Sequence, residues 1–334
     1  MADRPVFVCG APRSGTTLLM RILACTRNLG FPKYETWYFS NIHNRMKLIY
    51  DLDREEQLSA LLDSFSRIAH GFYRQFVDDE AVLRHLRESD QRPETIFDIL
   101  QTEVVARQGK SRWGEKSPGN EFYADEILSA FPSARLIYIF RDFRDVATSR
   151  KFKPNIQGKK MHLGDSLRGA MMWKKSVQQH LYNLNILPHD QYYAVKYEQM
   201  LKQPVETLER LGEFIEEPVT DCLQFVDGEY SFVPLKDYDA ALGPPSTSNS
   251  SYREQGRANR LSTSSVGRHR EKLSPFELVL IERLCHYEAR LTGYCDDRRS
   301  LKGSDTWLKL ITGKSKHWEG QLGKRLEKPS LPLP

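Results

Sequence analysis

Two short stretches of this 334-residue chain set arginine beside hydroxyl side chains, as anion chemistry requires. The first is Gly10-Ala11-Pro12-Arg13-Ser14-Gly15-Thr16-Thr17, which follows an apolar run at residues 5–9 and precedes a helical pattern. A glycine-rich turn between a buried strand and a helix aims backbone N–H groups at an anion, and the helix dipole favours negative charge there. The glycine spacing is that of a Walker loop, but Thr16 stands where the lysine that reaches the β/γ-phosphates belongs. A guanidinium, Arg13, lies inside the loop instead, and its forked donors suit phosphate or sulfate oxygens. No Walker-B carboxylate is evident, since the apolar run 135–140 ends in Arg141. A kinase needs that acid to hold magnesium. The loop therefore predicts a nucleotide whose charged 5′ group is handled without a metal.

The second stretch is Arg141-Asp142-Phe143-Arg144-Asp145-Val146-Ala147-Thr148-Ser149. Eight residues of helix rise about 12 Å at most, so Arg141, in the turn before the helix, and Ser149 can still converge on one phosphate. Taken alone this pattern is weak, because salt bridges at helix starts are common. Paired with the first motif it is specific.

In these residues the chain resembles the sulfotransferase superfamily that uses 3′-phosphoadenosine 5′-phosphosulfate (PAPS). Residues 12–18 are similar to the family's 5′-phosphosulfate loop, and residues 141–149 to its 3′-phosphate motif. Val195-Lys196-Tyr197-Glu198-Gln199-Met200-Leu201-Lys202-Gln203-Pro204 resembles the segment whose tyrosine lies near the adenine. The resemblance implies a P-loop-related α/β fold with a central parallel sheet flanked by helices. It implies that Arg13, Ser14, Gly15, Thr16 and Thr17 hold the 5′-phosphosulfate, that Arg141 and Ser149 hold the 3′-phosphate, and that Tyr197 belongs to the donor site. The product would be adenosine 3′,5′-bisphosphate, with no metal required. Toward the C-terminus the match loosens: Ser262–Ser265 precede Gly267-Arg268-His269-Arg270, closer to the bacterial and tyrosylprotein-type branch than to the cytosolic one. Arg268 is the donor contact expected there, with Arg257, Arg260 and Arg270 as alternatives.

Sulfuryl transfer needs an in-line acceptor hydroxyl, a base for its proton, and stabilisation of the charge that develops. Glu35, in Tyr34-Glu35-Thr36, is the expected base, because it returns from the apolar segment 29–31 toward the phosphate loop. It resembles the glutamate-threonine of the tyrosylprotein branch. That branch has an arginine two residues later, where this chain has Trp37, so an aromatic-lined pocket is expected rather than peptide specificity. Lys116, in Gly114-Glu115-Lys116-Ser117-Pro118, resembles a family lysine that stabilises the transferring group. Histidine is the base in the cytosolic branch, and His43, His70 and His162 are the alternatives here, although none carries a matching motif. The expected acceptor is a hydroxyl on a carbohydrate, glycolipid or lipid-like small molecule. The resemblance also leaves room for a homodimer.

The elements that must hold these residues alternate between strand and helix, which predicts a parallel sheet wrapped by helices. Strands are expected at residues 5–9, 110–114, 135–140 and 191–196. Helices are expected at 16–24, 53–76, 92–107, 120–131, 142–150, 165–186, 204–216 and 275–292. Residues 243–251, rich in proline and serine, read as a loop, and the stretch 240–265 as a lid over the nucleotide. A domain at 1–298 is expected, with a basic tail at 299–334.

Composition agrees with that outline. The chain is 40% hydrophobic and 28% charged, which fits a globular core, and its net charge of +5 suits small anions but is too weak to argue for nucleic acid. No apolar run approaches the ~20 residues of a membrane span, and the early strand argues against a signal peptide. The five cysteines lack zinc-ligand spacing and read as buried thiols, which points to a reducing cytoplasm. Two rivals stand beside the transferase: a P-loop kinase of small alcohols, and a non-catalytic nucleotide-binding protein of the same fold.

Overall fold

A computed structural model of the chain describes residues 4–43, 54–152, 163–226, 228–232 and 260–295. Two compact units divide it, Met1–Glu288 and Ala289–Pro334. The sheet and the candidate site lie in the first. The limit expected at 298, the tail beyond it, and residues 240–259 of the expected lid lie outside the described residues.

Five strands form one sheet: β1 (Val6–Cys9), β2 (Leu29–Gly30), β3 (Arg112–Lys116), β4 (Arg135–Phe140) and β5 (Tyr192–Lys196). Their order is β2-β3-β1-β4-β5 and every pairing is parallel. The helices are α1 (Thr16–Leu23), α2 (Arg54–Arg67), α3 (Glu80–Glu88), α4 (Pro93–Ala106), α5 (Ala124–Ala130), α6 (Phe143–Lys151), α7 (Leu163–Ile186), α8 (Tyr197–Lys202), α9 (Pro204–Ile215) and α10 (Pro275–Leu291), with shorter helical turns between them.

The apolar runs behave as strands buried on both faces must. Phe7 and Cys9 of β1, with Leu136 and Tyr138 of β4, join one core with Phe97, Leu100 and Trp113. Val6 and Val8, with Ile137 and Ile139, join the other, against Leu19, Ile22, Met200 and Leu208 of α1, α8 and α9. Alternation within a continuous apolar run thus sorts side chains to two cores. Each large side chain buried this way contributes about 1.5–3 kcal/mol.

Parallel pairing has one consequence for the site: every strand ends on the same edge. β1 runs into the glycine loop, β3 ends at Lys116, β4 at Phe140 beside Arg141, and β5 at Lys196 beside Tyr197. Ligands of open α/β sheets bind at that carboxyl edge, where the strand order reverses about the first strand.

The expected strand at 110–114 is found two residues later. The Lys110 N–H bonds the Val105 carbonyl at 2.9 Å and so closes α4 instead of joining the sheet. The helix expected over 53–76 breaks at residues 69–71, where Ala69, His70 and Gly71 all take positive φ. The one expected over 120–131 is split into a 3-10 turn, Asn120–Tyr123, and α5, so that Glu121 faces inward. Among the elements not anticipated are β2, α3 capped by Asp79, α8, and an antiparallel hairpin of β6 (Leu223–Val226) and β7 (Glu229–Phe232). The hairpin strands are only four residues each and carry no clean apolar alternation.

Candidate donor and acceptor site

The loop after β1 is held open by its glycines. Gly10 has φ 138°, and a Cβ there would run into the Ile139 carbonyl oxygen of β4. Gly15 caps α1 with φ 103°, and a Cβ there would strike the Tyr197 ring. Arg13 is left-handed too, at φ 79°, a costly conformation for a residue with a side chain. Glu121, buried beneath the loop, accepts from the Gly10 N–H at 3.1 Å and the Gly119 N–H at 3.0 Å, and from the Ser176 hydroxyl. Burial pushes the Glu121 carboxyl up, against the pull of these donors.

Arg13 brings the two arginine motifs together. Its Nε donates to the Ser149 hydroxyl at 3.0 Å. Arg141 rests on the face of Tyr197, with its guanidinium carbon 4.5 Å from the ring centroid. One of its terminal nitrogens lies 3.5 Å from the Arg13 carbonyl, and the other donates to the Ser265 carbonyl. The Trp173 indole N–H bonds the Arg141 carbonyl at 2.8 Å and fixes the backbone there. Arg13, Arg141 and Ser149, distant in sequence, therefore share one locality.

Two buried polar atoms there have no hydrogen-bond partner: the Ser14 hydroxyl oxygen and Arg141 Nε. Leaving such groups unpaired costs about 1–3 kcal/mol each, a debt that an anionic ligand would cancel. The first N–H groups of α1 also have no carbonyl inside the helix to bond. A charged, oxygen-rich group such as the 5′ end and 3′-phosphate of PAPS fits this donor set. Thr16 is buried and Thr17 exposed at the head of α1. Arg268 is exposed at the start of the single turn His269–Lys272. Arg260 pairs instead with Glu229 of the hairpin, at 3.6 Å; Arg257 lies outside the described residues.

On the neighbouring strand end, Lys116 forms an ion pair with Glu35. Lys116 is buried and Glu35 half-exposed, so the pair has one open side. The loop bearing Glu35 hangs on Glu115, a buried acid on β3. Glu115 accepts from the Thr36 hydroxyl at 2.7 Å, Ser117 at 2.5 Å and Asn120 at 2.5 Å, while the Trp37 N–H donates to Ser117 at 2.9 Å. Burial raises the Glu115 carboxyl, with these hydrogen bonds opposing. Trp37 (φ 52°) and Phe122 are both exposed, and each ring lies about 4 Å from where a Cβ on Gly119 would stand. His70, one of the alternative bases, packs on Tyr34 with ring centroids 5.3 Å apart; His162 lies outside the described residues.

Residues 5–221 match the model of the Sulfotransferase family. The chain belongs to that family. A 27% identical stretch of 230 residues is shared with an uncharacterized protein of Aquifex aeolicus, over 66% of this chain and 26% of that protein. Another of 217 residues, 23% identical, is shared with a "Putative protein-tyrosine sulfotransferase" of Caenorhabditis briggsae, over 64% of this chain and 66% of that protein. The chain thus spans about a quarter of the length of one relative and just under two thirds of the other. Among solved structures, the sulfotransferase domain from the curacin biosynthetic pathway superposes with a TM-score of 0.56 at 18% identity, covering 88% of this chain and 98% of that one. The family thus has its fold here, a five-stranded parallel sheet between helices.

The residues that support the site were not legible in the sequence. Glu115, Glu121 and Asp145 are buried carboxylates, and Ser265 and His269 come from far along the chain. The first two had a signal: an acid within or just beyond a strand flanked by apolar runs must find internal donors. Nothing in the spacing could have paired Asp145 with residues beyond 260.

Proposed function

We propose that this chain transfers the sulfuryl group of PAPS to the hydroxyl of a neutral small molecule, glycan or lipid-like acceptor, with Glu35 as general base. The observation that carries the reading is the convergence of Arg13, Ser149 and Arg141 around a loop that lacks the NTPase lysine. When bound, the donor supplies the sulfuryl group and leaves as adenosine 3′,5′-bisphosphate. Ser14, Gly15, Thr16 and Thr17 donate to its 5′ end together with Arg13, while Arg141 and Ser149 take the 3′-phosphate. Tyr197 forms the wall between the two, and Arg268 is the further donor contact.

On the acceptor side, Glu35 takes the hydroxyl proton and Lys116 offsets the negative charge that develops near the transferred group. The ion pair supports this division of roles. It orients the carboxylate until a hydroxyl takes over one of its oxygens. Glu35 and Lys116 together carry no net charge, and Trp37 and Phe122 beside them offer flat apolar faces. That surrounding favours a neutral, ring-bearing small-molecule acceptor; protein tyrosine is the acceptor that the name of the Caenorhabditis briggsae relative gives.

We also assign the catalytic unit to residues 1–298, in keeping with the compact unit Met1–Glu288. A reducing, cytoplasmic setting is supported by the buried thiols of Cys9, Cys25, Cys222 and Cys285. The test is transfer from labelled PAPS into a cell-extract metabolite pool, read by mass spectrometry. A product heavier by ~80 Da, lost in Glu35→Gln, is expected. Tight donor binding with no labelled product would overturn the enzymatic reading, and metal-dependent ATP turnover would replace it with a kinase.

A further inference from the structure

Asp145 has no part in the chemistry above, yet it is a buried acid 122 residues in sequence from its partner Gly267. It lies in the first turn of α6, one turn beyond Arg141. Its carboxylate accepts from the Gly267 N–H at 2.6 Å, the His269 N–H at 3.0 Å and His269 Nδ1 at 2.9 Å. Arg141 stands 4.0 Å away. The same returning segment reaches the donor motifs twice more: the Ser265 carbonyl accepts from Arg141, and the Ser265 hydroxyl bonds the Tyr197 hydroxyl at 2.8 Å.

We propose that Asp145 is a positioning residue for the 3′-phosphate site, pinning residues 265–269 so that the Ser265 carbonyl holds Arg141 in its binding geometry. The proposal rests on the reading that Arg141 takes the 3′-phosphate. An apolar residue would satisfy the packing at this helix position, beside buried Val146 and Ala147. A buried carboxylate is retained only where donors repay its desolvation, and here the donors come from the returning segment. Burial acts to raise the Asp145 carboxyl, but the His269 and Gly267 hydrogen bonds and the Arg141 charge outweigh it and hold the group below its ordinary value. Without this anchor, Arg141 keeps the Tyr197 face but loses the carbonyl that sets the direction of its fork.

The test compares adenosine 3′,5′-bisphosphate with 5′-AMP, which lacks the 3′-phosphate, by titration calorimetry on the full chain. In Asp145→Asn the bisphosphate Kd is expected to rise at least tenfold while that of 5′-AMP stays within about twofold. His269→Gln, a milder change, should shift the bisphosphate in the same direction, and the double variant should add little, since the two residues act through one contact. Retained 5′-AMP binding doubles as the check that each variant is folded. Unchanged bisphosphate affinity in both variants, or an equal loss for both nucleotides in His269→Gln, would overturn the proposal. A wild-type protein that fails to prefer the bisphosphate would instead overturn the assignment of Arg141 itself.

Discussion

Glu35 and Lys116 illustrate how little a side chain's type says without its partner. Either alone on a loop or strand end would be an ordinary surface charge; as an ion pair at the carboxyl edge they become the base and the cation of the proposed transfer. Glu35→Gln keeps size and hydrogen bonding but removes the base. Its expected effect is a fall in kcat of about 10²–10⁴ with donor affinity unchanged, measured by product formation and by titration of the bisphosphate. Gly15 makes the opposite point, that an absent side chain can be the functional feature. Gly15→Ala would push a methyl into the Tyr197 ring at a φ of 103° that favours glycine. Donor affinity should fall at least tenfold, and an affinity equal to wild type would refute the close packing of loop and tyrosine.

Strands and their connections turn these residues into a site. β3 carries two residues of consequence: Lys116 at its tip pairs with Glu35, while Glu115 one residue earlier faces inward and ties down the Glu35 loop through Thr36. Thr36→Val would strip Glu115 of a donor and the Tyr38 N–H of an acceptor. A stability loss of about 1–3 kcal/mol is expected by denaturant titration, with kcat reduced and donor affinity kept. Equal losses in both kinetic constants would mean the loop serves the donor side as well. The strands at 6–9, 135–140 and 192–196 and the long helices were legible because fully buried strands read as unbroken apolar runs and helices carry a 3.6-residue period. The turn after β1 was legible for a similar reason, since glycine spacing states a backbone requirement. The returning segment at 265–269, the break at residues 69–71 and the β6–β7 hairpin were not, because each depends on contacts far away in sequence or on segments too short to show a pattern. The two-residue shift of β3 mattered most. It brings the strand's end to Lys116, the residue read as ending a strand.

Across the first compact unit, Glu277 at the start of α10 binds together helices remote in sequence. It accepts from Lys151 at the end of α6, from Ser166 in α7 and from Ser274. Burial opposes ionisation there, but the Lys151, Ser274 and Ser166 hydrogen bonds hold the carboxyl down to about 2, against an ordinary 4.5. A group depressed in the folded state adds stability above its unfolded pKa and loses it as pH falls through the folded one. Glu277 should therefore contribute roughly 3 kcal/mol at neutral pH that disappears between about pH 4.5 and 2. Glu277→Gln should lower the melting temperature at pH 7 and flatten its acid dependence in this window, as followed by circular dichroism. Equal slopes for both proteins would contradict the linkage.

The central claim is that the site is built for a nucleotide bearing a 3′-phosphate and a charged 5′ group. Competitive calorimetric titration of adenosine 3′,5′-bisphosphate against 5′-AMP and magnesium-ATP tests it most directly. Binding of the bisphosphate at least 100-fold tighter than either competitor, without added metal and weakened in Arg141→Ala, is the predicted result. Equal affinity for 5′-AMP, or preferential binding of magnesium-ATP, would contradict it.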